Sequence, residues 1–249
     1  MIEIHEHADG VRELRFARPP VNALNLSLVL ELNTQLDAAA SSRRAIVLGG
    51  QPGMFSGGLD VRDLGRLGED DVREFLVHFV AAQQRIACCT VPIIAALTGH
   101  CPAGGTVLAV FCDYRIMARG AFRIGLNEVQ VGLTPGETIF RAFARLIGPR
   151  LAGDWAMRGV LADPETALAA GLVDELADPA AVIGRAVAYA RELLALPAQA
   201  FALTRQQVRA DLVALFANDR NRPLVEQMLK LWFSDETRRS FAAVLSKQR

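Results

Sequence analysis

Lysine is almost missing from this chain. Lys230 and Lys247 are its only two, and arginine carries nearly all the positive charge. Basic and acidic residues balance at 27 each, so the formal net charge is zero. A chain with no basic excess lacks the electrostatic footprint of a nucleic-acid binder and has no bias toward a strongly acidic partner. Cysteine is also scarce. Cys88, Cys89, Cys101 and Cys112 match no zinc spacing, and the adjacency of the first two disfavours an ordinary disulfide between them. Reduced, buried thiols in a cytoplasmic protein are the expectation. Met1 to His7 offer neither a basic nor an apolar leader region, so no signal peptide is expected. No uninterrupted apolar run reaches transmembrane length, because Arg, Asp, Gly and Pro break the long stretches, and no membrane partner is expected. A fixed-period repeat and a low-complexity linker are absent too.

What is present is a hydrophobic content of 51% over 249 residues, enough for one large domain or a domain with a C-terminal appendage. Residues 2–5 and 11–16 alternate at period two around Asp9-Gly10, which predicts a hairpin. Ser27 is placed to cap a helix running to about Ala40, with Leu28, Leu32 and Leu36 on one face. Buried strands are expected at 45–48, 93–97 and 114–118, with a last short one at 173–176. Helices are expected from Asp70 or Asp71 to about Ala87 and from Gly104 to Phe111. Strands alternating with helices predict an α/β fold with a largely parallel core. After Pro135 the chain reads as nearly all helical, with Pro149, Pro164, Pro179 and Pro197 at helix starts.

Two glycine-rich turns follow strands: Phe55-Ser56-Gly57-Gly58-Leu59-Asp60 and Gly99-His100-Cys101-Pro102-Ala103-Gly104-Gly105. Glycine permits a close approach of backbone to ligand, and a helix opening at Gly104 offers unsatisfied N–H groups. Two converging N–H donors can stabilise negative charge on a carbonyl oxygen. Either turn alone is accounted for by an ordinary strand-to-helix connection. Neither matches the G-x-G-x-x-G or G-x-x-x-x-G-K-[ST] phosphate patterns, which disfavours nucleotide binding in those modes. Downstream, Ile124-Gly125-Leu126-Asn127-Glu128 supplies a carboxylate that could move a proton beside such a site.

Taken together these segments resemble the crotonase (enoyl-CoA hydratase/isomerase) superfamily. The matching pieces are residues 18–24, 55–60, 99–105 and 112–116. Asn127-Glu128 through Pro135-Gly136 and residues 169–174 also match, all in family order. The resemblance implies a repeated ββα spiral core over 1–196 and a C-terminal helical module over 197–249 that serves trimerisation or covers the active site. It implies a homotrimer or a dimer of trimers, and an acyl-CoA thioester substrate that itself carries the coenzyme A, with no other cofactor and no metal. Carried over, the N–H groups of Leu59 and Gly104 hold the thioester oxygen and Glu128 is the acid/base. Ala23, Gly57, Gly58, Leu59, Asp60 and Val61 lie near the CoA, and Lys247 or its neighbours near its phosphates. The second glutamate of the family's hydratases falls at Val107, which cannot transfer a proton. The sequence looks closer to the Δ3,Δ2-enoyl-CoA isomerase branch, whose Cys-Pro-Ala-Gly-Gly turn and Ile-Gly-Leu-Asn-Glu segment with a single glutamate resemble residues 101–105 and 124–128 here. That resemblance implies a double-bond shift in fatty-acid beta-oxidation, with hydratase or lyase chemistry and a non-catalytic acyl-CoA-binding paralogue as alternatives.

Glu137, in the first turn of a helix, is expected either to complement the helix dipole or to point inward as a second acid. His100 could line an acyl pocket, whereas His5 and His7 are expected to face solvent. Asp60 is expected to cap its loop, Asp113 to make structural bonds, and Trp155, Trp232 and Phe233 to be core or subunit contacts, with Trp232-Phe233 an alternative cover for the pocket. Leu126, Val129 and Val107 are the apolar neighbours expected to raise the carboxyl pKa of Glu128.

Overall fold

The computed structural model describes residues 1–41, 45–217 and 222–246. The hairpin forms as predicted. Strand β1 (Ile2–Glu6) pairs antiparallel with β2 (Val11–Phe16), and Asp9 and Gly10 both take positive φ in the connection. Helix α1 (Leu26–Ser41) follows. Its cap is Asn25, whose side-chain oxygen accepts the Leu28 N–H at 3.1 Å, and Ser27 lies inside the first turn.

Strand β3 (Ala45–Gly49) and the two-residue β4 (Gly53–Met54) precede helices α2 (Val61–Leu64) and α3 (Glu69–Cys88). Strands β5 (Ile93–Leu97) and β6 (Gly99–Pro102) precede α4 (Gly104–Ala109). Strands β7 (Tyr114–Ala118) and β8 (Ile124–Gly125) precede α5 (Glu137–Ile147), α6 (Pro149–Arg158) and α7 (Pro164–Ala170). Strand β9 (Glu175–Ala177) closes the series. The first strand of each pair joins a six-stranded sheet of order β1-β2-β3-β5-β7-β9, and the second joins a three-stranded sheet of order β4-β6-β8. This is the repeated ββα unit, with successive units side by side in both sheets.

The centre of the larger sheet is buried on both faces, which explains the unbroken apolar strands β3 and β5. Alternate residues point to opposite sides. Ile46, Leu48, Ile93, Ala95, Leu97 and Met117 enter the main core with α1, α3 and α4. Val47, Ile94, Ala96, Ile116 and Ala118 meet Val182, Ala186 and Ala190 of helix α8 (Val182–Leu194).

Four further helices follow: α9 (Ala198–Val208), α10 (Ala210–Ala214), α11 (Arg222–Trp232) and α12 (Asp235–Ser246). Arg205 and Arg209 tie the first of these to the core. Both pair with Asp113, at 2.8 and 3.0 Å, and Asp113 also accepts the Ile93 N–H at 2.8 Å. The Arg209 guanidinium donates to the carbonyls of Ile86 and Ala87 at the end of α3 and of Phe111 just beyond α4. It thereby satisfies orphan carbonyls at the end of α3 and ties them to the segment that follows α4. Trp155 packs on Phe143 and Trp232 edge-on to Phe241, so both are core residues.

Candidate active site

The first glycine turn is held by Asn22, which is fully buried. Its amide nitrogen donates to the carbonyls of Met54 and Phe55, and its carbonyl accepts the Ser56 hydroxyl at 2.9 Å. Ser56 Oγ in turn accepts the Gly58 N–H. Leu24 bridges to the turn through Leu24 N–H to Gly58 O and Asp60 N–H to Leu24 O. In that parallel pattern the Leu59 N–H points away from Leu24. No hydrogen-bond partner for it occurs among the described residues.

The second turn is set by Ala103, whose φ of 47° is rare for a residue with a Cβ. Its N–H donates to Gly125 O at 2.8 Å, and Gly125 N–H donates to Thr106 Oγ1 at 3.0 Å. The opening of α4 is thus bonded to β8, three residues before Glu128. The Gly104 N–H is the first of α4 and likewise has no partner among the described residues.

Both turns border one cavity of about 810 Å³. Ala23 lines it from the segment before α1, Gly57, Leu59, Asp60 and Val61 from the first turn and the start of α2, Gly104 and Val107 from the second turn and α4, and Glu128 from the turn beyond β8. Gly58 lies behind the wall, packed between the two turns. Lys247 lies outside the described residues. Phe79 and Ile139 extend the apolar wall, and Met228 and Val244 reach it from the C-terminal helices.

Glu128 is 7% exposed, and its Oε2 is buried without a hydrogen-bond partner. Burial pushes its carboxyl up to about 7, because a desolvated carboxylate is disfavoured. The other carboxylate at the cavity among the described residues, Asp60, is engaged. It pairs with Arg18 at 2.7 Å and caps α2 by accepting the Asp63 N–H at 3.0 Å. Val107 is 2% exposed and fills the wall.

Glu137 sits in the first turn of α5, as expected of a residue complementing the helix dipole; it turns outward and pairs with Arg141 four residues on, its side chain 74% exposed. Other expectations are corrected. Val129 is 46% exposed, so Val131 and Leu133, which line the cavity, take the place it was given beside Glu128. His100 packs edge-on to Phe122 at 5.3 Å and does not line the cavity, and neither do Trp232 and Phe233. His7 does not simply face solvent: it bonds to Glu13, itself 1% exposed, at 2.8 Å. Asn22 and Thr106, which brace the two turns, had no assigned role in the sequence.

The family model for enoyl-CoA hydratase/isomerase matches residues 6–248. The chain belongs to that family. It is therefore an enzyme of the enoyl-CoA hydratase/isomerase type. It is 33% identical over 208 residues to the Homo sapiens mitochondrial enoyl-CoA delta isomerase 1, covering 80% of this chain and 68% of the human one. It is 30% identical over 194 residues to a probable enoyl-CoA hydratase of Rhizobium meliloti (strain 1021), covering 77% and 74%. The crystal structure of human mitochondrial delta3-delta2-enoyl-CoA isomerase superposes with a TM-score of 0.92 at 28% identity, over 99% of this chain and 97% of that one. The fold is accordingly the crotonase fold, and an acyl-CoA substrate fits the family. Among the described residues no helix is long and apolar enough to cross a membrane.

Proposed function

We propose that this enzyme shifts the double bond of a 3-enoyl-CoA to the trans-2-enoyl-CoA, with Glu128 as its only acid/base. The observation that carries the proposal is the state of Glu128. Among the described residues it is the one cavity carboxylate not engaged by an ion pair or a cap, and one of its oxygens is buried and unpartnered.

The C2 proton of a 3-enoyl thioester is acidified by both the thioester and the alkene. The Glu128 carboxylate removes it, and the C–H electron pair delocalises through the alkene onto the thioester oxygen. The Leu59 and Gly104 N–H groups hold that oxyanion, an arrangement in which a single donor is worth roughly 10²–10³ in rate. The Glu128 carboxylic acid then delivers its proton to C4, and the double bond comes to rest between C2 and C3. Proton and electrons both stay within enzyme and substrate, so the reaction needs no cofactor beyond the coenzyme A that the substrate carries. A carboxyl with a pKa near 7 suits both halves of the shuttle at neutral pH. The CoA lies along Ala23 and Gly57–Val61, and Lys247 is proposed near its phosphates. The step belongs to fatty-acid beta-oxidation.

The same proposal has 1–196 as spiral core and 197–249 as helical module, assembled as a homotrimer or dimer of trimers. Helix α9 buries no residue within the chain, and Leu203 and Val208 are 54% and 59% exposed. A cytoplasmic location is supported by four free cysteines, although the isomerase relatives named above are mitochondrial.

Hydration is the second reading, supported by the probable hydratase relative. It needs a second carboxylate, and neither Val107 nor the outward Glu137 supplies one. Offering 3-hexenoyl-CoA and crotonyl-CoA side by side decides between them. The proposal requires trans-2-hexenoyl-CoA from the first and little water addition to the second. Rapid hydration of crotonyl-CoA would contradict it. Binding of both without turnover would favour a non-catalytic paralogue.

A further inference from the structure

The turn that carries Glu128 is bonded to the far end of the chain. Ser234 caps α12, its Oγ accepting the Thr237 N–H at 3.2 Å. Thr237 is fully buried. Its hydroxyl accepts from Ser234 Oγ at 3.1 Å and donates to the Gly132 carbonyl at 3.0 Å. Gly132 ends the 3-10 turn Glu128–Val131 with a φ of 79°. Its N–H bonds to Val129 O at 3.3 Å, and the next N–H, of Leu133, bonds to Glu128 O at 3.0 Å. The Thr237 hydroxyl therefore closes a short chain of hydrogen bonds onto the backbone of Glu128.

The approach is close. A Cβ on Gly132 would fall 2.6 Å from Thr237 Oγ1 and 3.1 Å from Thr237 Cα. Glycine is required there both for its positive φ and for the space. A threonine that only filled the core could be valine. The hydroxyl is needed because the half-buried Gly132 carbonyl accepts its bond, and valine would leave that acceptor without its partner.

We infer that Thr237 is a positioning residue: its hydrogen bond to Gly132 fixes the 128–132 turn and thereby aims the Glu128 carboxyl into the cavity. The inference rests on the proposed role of Glu128 as proton shuttle. Thr237 touches no substrate and does not line the cavity. It acts through the turn, where a misplacement of about 1 Å costs on the order of 10²-fold in rate.

The test compares Thr237→Val, which keeps the shape and loses the hydroxyl, with Thr237→Ser, which keeps the hydroxyl. With 3-hexenoyl-CoA, valine is expected to lower kcat by roughly 10- to 100-fold with KM within about twofold, and serine to restore it. The second readout is the carboxyl 13C NMR titration of Glu128, assigned by its loss in Glu128→Gln. Its midpoint, raised by burial in the native protein, should fall toward the ordinary glutamate value in the valine variant, where the loosened turn admits water, and stay up in the serine variant. The charged groups on the surrounding elements — Asp154 and Arg158 on α6, Asp235, Glu236 and Arg238 on α12, Arg18, Asp60 and Arg62 at the cavity — are the same in all three proteins. If valine prevents folding, Thr237→Cys, with only a weak S–H donor, makes the same comparison. A folded valine variant with native kcat and native midpoint would overturn the inference. The titration does not depend on turnover. A native enzyme inert toward 3-enoyl-CoA alongside a shifted midpoint would sink the isomerase reading and leave the positioning role standing.

Discussion

Gly58 and Gly104 press the two turns of the cavity together. A Cβ on Gly58 would lie 3.4 Å from the Gly104 nitrogen and 3.1 Å from the Ala103 Cβ, and Gly58 has a φ of +88°. The spacing of the Leu59 and Gly104 N–H groups therefore depends on a residue with no side chain at position 58. Gly58→Ala is expected to keep the fold and to lower kcat/KM by about 10²-fold or more, the scale of losing one oxyanion donor. Steady-state kinetics beside a thermal melt would check this. Unchanged kinetics would detach the turn spacing from catalysis.

Glu128 makes both activity and stability pH-dependent. Its folded pKa of about 7 stands above the 4.5 of an ordinary glutamate, so between those values the native state holds the proton more tightly than the unfolded chain. Stability contributed by this group is fully present below about pH 4.5 and is lost as pH rises through 7. Glu128→Gln should match the native protein at low pH and exceed it above pH 7 by up to roughly 3 kcal/mol. Denaturant unfolding at pH 5 and pH 8 measures the difference. Activity runs the other way: kcat/KM should rise with pH and level off above about 7, because deprotonation of C2 needs the carboxylate.

Val107→Glu places a second carboxylate in the cavity wall, at the position to which the family resemblance assigns the second glutamate of hydratases. Two neighbouring carboxylates cannot both ionise freely, so one pKa rises and acid and base become distinct groups. Water addition to crotonyl-CoA should appear or increase in this variant, while the buried charge lowers its melting temperature. Product analysis by mass spectrometry reads the hydration directly. A folded variant that adds no water would show that position 107 does not set the reaction.

Arg209 pins the C-terminal helices through Asp113 and the carbonyls of Ile86, Ala87 and Phe111. Arg209→Ala is expected to destabilise by about 3–5 kcal/mol, the range for removing one partner of a buried ion pair. Arg209→Lys should rescue little, since an ammonium cannot fan out to the same acceptors. Chemical denaturation of the three proteins tests this.

The larger sheet was legible because β3 and β5 are short unbroken apolar runs bounded by glycine, proline and polar residues, and β7 is a similar run interrupted only by Arg115. The smaller sheet was not. Gly53–Met54, Gly99–Pro102 and Ile124–Gly125 are two to four residues long, contain glycine or proline, and show no alternation. They exist because the ββα units stack, which is a long-range effect. The positions of Glu128, Leu59 and Gly104 on one cavity followed from motif order. The direction of Glu137 did not, although Arg141 at the i+4 position was a readable sign of an outward, paired side chain. Likewise Glu13 shares its strand face with the buried Val11, which marks it as a buried acid needing partners. The bond from Thr237 to Gly132 spans 105 residues, and no local pattern announces it.

The central claim is that one carboxylate does all the proton transfer, and Glu128→Gln tests it most directly. Turnover of 3-hexenoyl-CoA and binding of a CoA thioester are measured on the same folded preparation. The account predicts that isomerisation falls to background while the thioester still binds with near-native affinity. Full isomerase activity in that variant would contradict it.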